Sequence, residues 1–243
     1  MLLALSCIII FLAAIVRGFS GFGFSLLTIT ALSLFYPPAE IIPSIFMLEL
    51  AASANLLPSI WKDVHWKSLG PLTFGCLIAT PIGVWALANF PATLMQIALS
   101  IFVLVATFLM WRGYALKTMP GTFASALAGA ASGLSNGAFG IGGPPVILFY
   151  FASPAGNLAG RASLVAFFLA TDVIGLANQS VHGLITWATV VQAAVYLPAL
   201  LAGVWIGARS FKGTDPETFR KYVLGILALL AVIIFVKATI QIT

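Results

Sequence analysis

Val223-Leu-Gly-Ile-Leu-Ala-Leu-Leu-Ala-Val-Ile-Ile-Phe-Val236 contains no polar or charged side chain. A strand of a membrane barrel would alternate between a lipid-facing and a lumen-facing residue, and this run does not alternate. Ala98 to Met110, apolar but for Ser100 and Thr107, does not alternate either. Such runs recur along the chain almost without a break, in lengths near the ~17–25 residues that carry a helix across roughly 30 Å of hydrocarbon. Of 243 residues, 61% are hydrophobic and 7% charged, against about 25% charged in an ordinary soluble domain. That charge density cannot build a water-facing surface, so the solvent is the bilayer. In lipid every backbone N–H and C=O must be paired internally, and continuous apolar runs make the paired structure a helix. The fold class is therefore all-α, a polytopic membrane helix bundle.

Cutting at Pro, Gly and polar clusters gives ten pieces in two sets of five. The first set is 1–17, 22–36, 41–60, 68–88 and 92–111; the second is 121–137, 144–152, 161–179, 187–207 and 218–240. The sets resemble each other. Gly18-Phe-Ser-Gly-Phe-Gly-Phe24 echoes Gly133-Leu-Ser-Asn-Gly-Ala-Phe139, Glu49 to Asn55 echoes Asp172 to Asn178, and Gly83-Val-Trp85 echoes Gly203-Val-Trp205, in the same order and at offsets of 115, 123 and 120. A duplicated unit follows, with a first repeat at 1–111, a cytoplasmic linker at 112–120 and a second repeat at 121–243. Each repeat is expected to hold a glycine-broken re-entrant hairpin and three spanning helices. Five crossings, or a re-entrant pair plus three crossings, are both odd, so the second repeat enters the membrane upside down.

Charge tests the inversion independently. The loop of Lys62 and Lys67 has an uncharged counterpart at 179–185, whereas uncharged Asn89-Phe-Pro91 answers to a loop holding Arg209, Lys212, Arg220 and Lys221. Placing basic loops in the cytoplasm also puts Arg112, Lys117 and Arg161 inside, leaves Lys237 outside, and puts both termini outside. Topology thus accounts for the net charge of +5, and nothing further points to nucleic acid. The first segment has neither a basic start nor a small-residue cleavage site, so it is read as retained rather than as a signal peptide. Cys7 and Cys76 lie in apolar segments without metal-ligand spacing and read as small buried hydrophobes. No signature of a cofactor or a metal is present. Gly133-Leu-Ser-Asn-Gly137 has the G-x-S-x-G spacing of serine hydrolases, but no strand precedes it and no histidine sits at a matching depth.

Gly18 to Gly23 and Gly133 to Pro145 are the least helix-like stretches at membrane depth, because consecutive glycines break a helix. Pro144 or Pro145 suits the first turn of a new helix, where no N–H is required. Broken helices at corresponding positions of two inverted halves mark a transporter's binding site, and free N–H groups with the helix dipole favour an anion there. Gly129, Gly133 and Gly137 also have the small-xxx-small spacing of close helix packing. The expected substrate-binding residues are Arg17, Gly18, Ser20, Gly21, Gly23, Asn136, Gly137, Gly140, Gly142 and Gly143. Glu49 and Asp172, each six residues before an asparagine (Asn55 and Asn178), suit either proton coupling or a structural role satisfying hairpin N–H groups. An ionisable residue at this depth costs roughly 2.5–3.5 kcal/mol on insertion scales and calls for a reason. Arg17 can meet an anionic substrate, pair with Glu49, or reach the interface. His65 and His182 fall in loops on opposite sides and read as solvated. Trp61, Trp66, Trp111 and Trp187 mark segment ends as an interfacial belt does.

Gly18-Phe-Ser-Gly-Phe-Gly23, Gly137-Ala-Phe-Gly-Ile-Gly-Gly-Pro-Pro145 and Gly160-Arg-Ala-Ser163, set in two modules about a basic central loop, resemble the sulfite exporter TauE/SafE family, also called the toluene sulfonate uptake permease family. The resemblance covers nearly the whole chain. It implies a carrier of the bacterial inner membrane that moves sulfite, thiosulfate or organosulfonates, most often outward, with its central site at the glycine clusters. Arg17 has no basic counterpart at Ser132, so the resemblance gives no symmetric two-arginine clamp. Outward movement of an anion is already favoured by an inside-negative potential, by about 2.3 kcal/mol per charge per 100 mV, so uniport export suffices. A proton on Glu49 or Asp172 would instead permit uptake of an organic anion by symport, and an anion channel is a further alternative. Expected partners are a small anion and the lipid bilayer, and a homodimer is compatible with this reading.

Overall fold

The computed structural model describes residues 2–113, 120–152, 157–210 and 216–240. Among them the apolar pieces fold as ten α-helices and no strand: α1 (Leu2–Ser20), α2 (Phe24–Leu32), α3 (Pro38–Ile60), α4 (Trp66–Asn89), α5 (Ala92–Arg112), α6 (Thr122–Phe139), α7 (Gly143–Ala152), α8 (Asn157–Val181), α9 (Trp187–Ser210) and α10 (Pro216–Ile240). Prolines set several starts, as at Pro38 in the first turn of α3 and Pro91 before α5. Six helices, namely α1, α4, α5, α8, α9 and α10, are long and apolar enough to cross a membrane. The two shortest helices are different. At 1.5 Å per residue α2 and α7 reach only about 15 Å, half of a hydrocarbon core.

Helix surfaces show which face meets lipid. On α4, Phe74, Ile78, Ile82 and Trp85 form an outward stripe, each more than half exposed. The opposite face carries Gly75 and Gly83, which press on α6, and α6 returns Gly129, Gly133 and Gly137 against α4. A Cβ on Gly133 would lie 2.5 Å from the Cys76 carbonyl oxygen, which no packed side chain tolerates. Lipid tails are as apolar as leucine, so such helices associate through close packing of small residues rather than through expulsion of water. The seam between α1 and α9 repeats the device with Gly18, Gly203 and Gly207; a Cβ on Gly203 would stand 2.5 Å from the Phe11 carbonyl oxygen.

The helix pairing has a regular exchange. α4 lies along α6 and α9 along α1, α4 also meets α8 while α9 meets α3, and α5 pairs with α10 as α3 does with α8. Substituting each of α1–α5 by its counterpart among α6–α10 returns the same set of pairs. Both short helices sit inside this frame. Phe24, Leu26, Ile29 and Leu32 of α2, and Val146, Ile147 and Tyr150 of α7, are buried against neighbouring helices. Protein therefore sheathes both helix starts, which is where irregular backbone is tolerated at membrane depth.

Candidate functional site

Left-handed glycines set both breaks, two in the first and one in the second. The chain leaves α1 through Gly21 at φ 82° and enters α2 through Gly23 at φ 89°, and it leaves α6 through Gly140 at φ 67°. These are left-handed conformations that strain any side chain. The Gly21 N–H donates to the Arg17 carbonyl and the Gly140 N–H to the Asn136 carbonyl, both at 2.7 Å. The equivalent turns therefore make Arg17 the counterpart of Asn136, and Ser25 the counterpart of Pro144. Letter matching had paired Gly18 with Gly133 and hence Arg17 with Ser132; the register is four residues different because the helix-ending glycine, not the first glycine of the cluster, is what the two hairpins share. Asn136 is neutral, so the second half still carries no cation there.

The first hairpin and α3 form a tight polar cluster. Arg17 is 5% exposed and Glu49 6%. The Arg17 guanidinium makes a salt bridge to Glu49 Oε2 and donates to Ser53 Oγ at 2.9 Å. Glu49 Oε1 accepts the Ser25 backbone N–H at 3.1 Å. One carboxylate thus joins the cation to the start of α2, where an anionic side chain is also favoured by the helix dipole.

The second hairpin is held by neutral groups. Ser132 Oγ donates to the Gly142 carbonyl at 2.5 Å, and Asn136 Nδ2 reaches the Thr171 carbonyl at 3.5 Å. Asp172, next along α8, is 5% exposed, and its Oδ2 has no hydrogen-bond partner among the described residues. Arg17 lies close enough to interact with it electrostatically.

Between the starts of α2 and α7 lies a small cavity of about 20 Å³, room for about one water molecule. Gly23 and Ser25 line it from the first hairpin, Gly142 and Gly143 from the second, and Asn136 from α6. Glu49 and Asp172 complete the polar wall, facing Phe168 and Ile147. Two acids, one amide and the backbone of both helix starts therefore border one small cavity.

Of the expected site residues, Gly23, Asn136, Gly142, Gly143, Glu49 and Asp172 meet at the cavity. Arg17 stands behind Glu49. Gly21 and Gly140 shape the turns, whereas Gly18 and Gly137 lie in the α1/α9 and α4/α6 seams. Asn178 bonds within its own helix, its Nδ2 donating to the Ile174 carbonyl at 2.8 Å. The side chains of Ser20 and Asn55 lie outside the described residues, as do those of Arg161 and Arg220 and the whole of Lys117 and Lys212. Ser25, Ser53 and Ser132 were not singled out from sequence. His65, expected to be solvated, joins a chain of hydrogen bonds: its N–H donates to Ser163 Oγ at 2.8 Å, its Nδ1 meets Ser68 Oγ at 2.9 Å, and Ser68 Oγ meets Tyr150 Oη at 2.9 Å. The serine of Gly160-Arg-Ala-Ser163 thereby ties α8 to the loop before α4.

A family model described as sulfite exporter TauE/SafE matches residues 6–234. A protein described as a probable sulfite/organosulfonate exporter TauE, from Cupriavidus necator, is 28% identical over 218 residues, covering 87% of this chain and 84% of its own length. No solved structure matches.

Proposed function

Because the chain belongs to the sulfite exporter TauE/SafE family, a family of membrane transporters rather than enzymes, we propose that it exports a small sulfur-containing anion, whether sulfite, thiosulfate or an organosulfonate, across the bacterial inner membrane. The observation that carries this reading is the cavity enclosed by the starts of two half-length helices. A sulfur oxyanion needs donors; the backbone of Gly142 and Gly143 and the Asn136 amide border the cavity, beside the positive dipole ends of α2 and α7. The relative's description as a sulfite/organosulfonate exporter supports the substrate class.

The halves are inverted repeats, 1–111 and 121–243, joined by a cytoplasmic linker at 112–120. The exchange of helix pairs between the halves supports this arrangement, as does the opposite charge of equivalent loops. In this arrangement α1–α2 and α6–α7 are re-entrant hairpins meeting near the midplane, and both termini face out. The cavity as it stands is too small for a sulfur oxyanion, so loading requires the two hairpins to separate. That motion opens one side at a time, with the α4/α6 and α1/α9 seams moving as rigid ribs.

Labelled sulfite, thiosulfate, sulfate, ethanesulfonate and acetate, offered in turn to proteoliposomes holding the full-length protein, test the proposal. Saturable flux of a sulfur anion supports a carrier, and flux linear in concentration indicates a channel instead. Gly142→Leu should abolish saturable flux, because even a Cβ at this position stands 3.0 Å from both Asn136 Cβ and Ser132 Oγ. Gly225→Ala, which meets open space on α10, should leave it intact. Absence of flux for every anion defeats the proposal.

A further inference from the structure

Resting on the carrier reading above, we infer that Asp172 is the site of a proton that travels with the anion, and that Glu49 is not. The two acids stand on the same cavity with opposite provisions. Glu49 has both oxygens engaged, one by Arg17 and the other by the Ser25 N–H. Asp172 points an unpartnered oxygen from an almost fully buried position on the cavity wall. The titratable groups around it are Arg17 from α1, Glu49 from α3 and Cys76 from α4. Cys76 Sγ is engaged by Thr80 Oγ1 at 3.4 Å, and α6 and α7 present only neutral Asn136, glycine and apolar groups.

Charge balance then decides what the site accepts. Arg17 and Glu49 cancel each other. The starts of α2 and α7 contribute about half a positive charge each. One negative charge completes the site, and either ionised Asp172 or a monovalent anion provides it. Both together leave an unpaired charge in a medium where that is costly. When the anion enters, Asp172 therefore takes a proton from the water on that side, and its O–H becomes a donor to the anion. When the anion leaves, the proton leaves with it, and the carboxylate neutralises the helix starts while the empty carrier returns. No bond other than this O–H forms or breaks. A monovalent sulfonate then moves without net charge, so its own gradient and the pH difference set the direction of flow. A divalent anion beside protonated Asp172 leaves one charge unpaired, so it moves more slowly and carries one net charge rather than two.

The experiment uses the full-length protein in proteoliposomes with labelled ethanesulfonate and thiosulfate, neither of which changes charge across the neutral range. A pH dye in the lumen counts protons, and valinomycin with a potassium gradient sets the potential. The wild type is expected to move a proton with each anion. Its ethanesulfonate accumulation should ignore the potential, and its thiosulfate accumulation should change about tenfold for each ~60 mV. Asp172→Asn keeps a donor but holds no exchangeable proton, so its ethanesulfonate accumulation should follow the potential, about tenfold for each ~60 mV, with no dye response. Arg17→Gln/Glu49→Gln removes both members of the ion pair and so leaves the charge balance of the site unchanged; it should keep the wild-type proton-to-anion ratio even where its rate falls. Wild-type flux without proton movement overturns the inference while leaving the carrier standing. Loss of proton movement in Arg17→Gln/Glu49→Gln, with anion flux retained, overturns the assignment to Asp172, and this arm decides even where Asp172→Asn cannot be reconstituted. No flux of any anion by the wild type removes the carrier reading and the inference with it.

Discussion

Glu49 on α3 and Asp172 on α8 occupy equivalent places in the two halves, yet their surroundings differ by two atoms' worth of chemistry. Beside Glu49 the first hairpin sets an arginine at position 17 and a free N–H at Ser25. The second hairpin sets Asn136 where the arginine stands and Pro144 where the N–H stands, and a proline nitrogen has no hydrogen to give. One acid is consequently fixed and the other has a vacant oxygen. The helix pairing is repeated and the charge is not. If the proton exchange inferred for Asp172 holds, the two acids divide the work: Glu49 braces the start of α2 and Asp172 carries the proton.

The largest test of this contrast is Arg17→Gln. Removing one partner of a buried ion pair typically costs about 3–5 kcal/mol, because the other charge is left without compensation. Thermal unfolding of the detergent-purified protein should show that loss, whereas Asp172→Asn, which breaks no hydrogen bond at Oδ2, should stay within about 1 kcal/mol of wild type. Equal losses for the two variants would erase the distinction between braced and vacant acids. Ser25→Pro comes next. It copies Pro144 into the first half at a helix position that accepts proline, and deletes a single hydrogen bond to a charged group, a loss of about 1.5–3 kcal/mol. A Ser25→Pro protein as stable as Ser25→Ala would mean that Glu49 does not depend on the α2 N–H.

Much of this was legible beforehand, for physical reasons. Apolar runs and their proline and glycine breaks are local features, so all ten helices were found, with α2 and α7 short. Arg17 with Glu49 was one of three options, and burial selected it: an arginine 5% exposed at membrane depth has to find a carboxylate. Identical letters recur in glycine-rich sequence and align Gly18 with Gly133, whereas the left-handed, helix-ending Gly21 and Gly140 align the turns four residues differently. Gly18 and Gly137 carried the same letter as the cavity glycines, and nothing local separates a glycine that admits a neighbouring helix from one that borders a cavity. Ser25 and Ser53 carry no local signal, because serines are common in these helices and their partners are 24 and 36 residues away.

The smallest and sharpest test runs the exchange the other way. Pro144→Ser gives the start of α7 the N–H that Ser25 gives to α2. If the hairpins are equivalent at these positions, that N–H reaches the vacant oxygen of Asp172 as its counterpart reaches Glu49. A hydrogen bond to the ionised carboxylate contributes about 1.5–3 kcal/mol, and the loss of proline's restraint on the unfolded chain returns about 0.4–1 kcal/mol of it. The bond in full favours the ionised acid, because the unfolded-chain loss is the same for both protonation states. More acid is then needed to protonate Asp172, so the pH at which ethanesulfonate flux is half-maximal should fall by about one to two units. Stability should rise slightly where Asp172 is ionised and fall by about 0.4–1 kcal/mol where it is protonated, which thermal unfolding at two pH values resolves. An unmoved flux midpoint would show either that Pro144 does not stand where Ser25 stands or that Asp172 does not exchange the proton. Unfolding separates these cases, because a new bond to Asp172 stabilises the protein whether or not transport uses it.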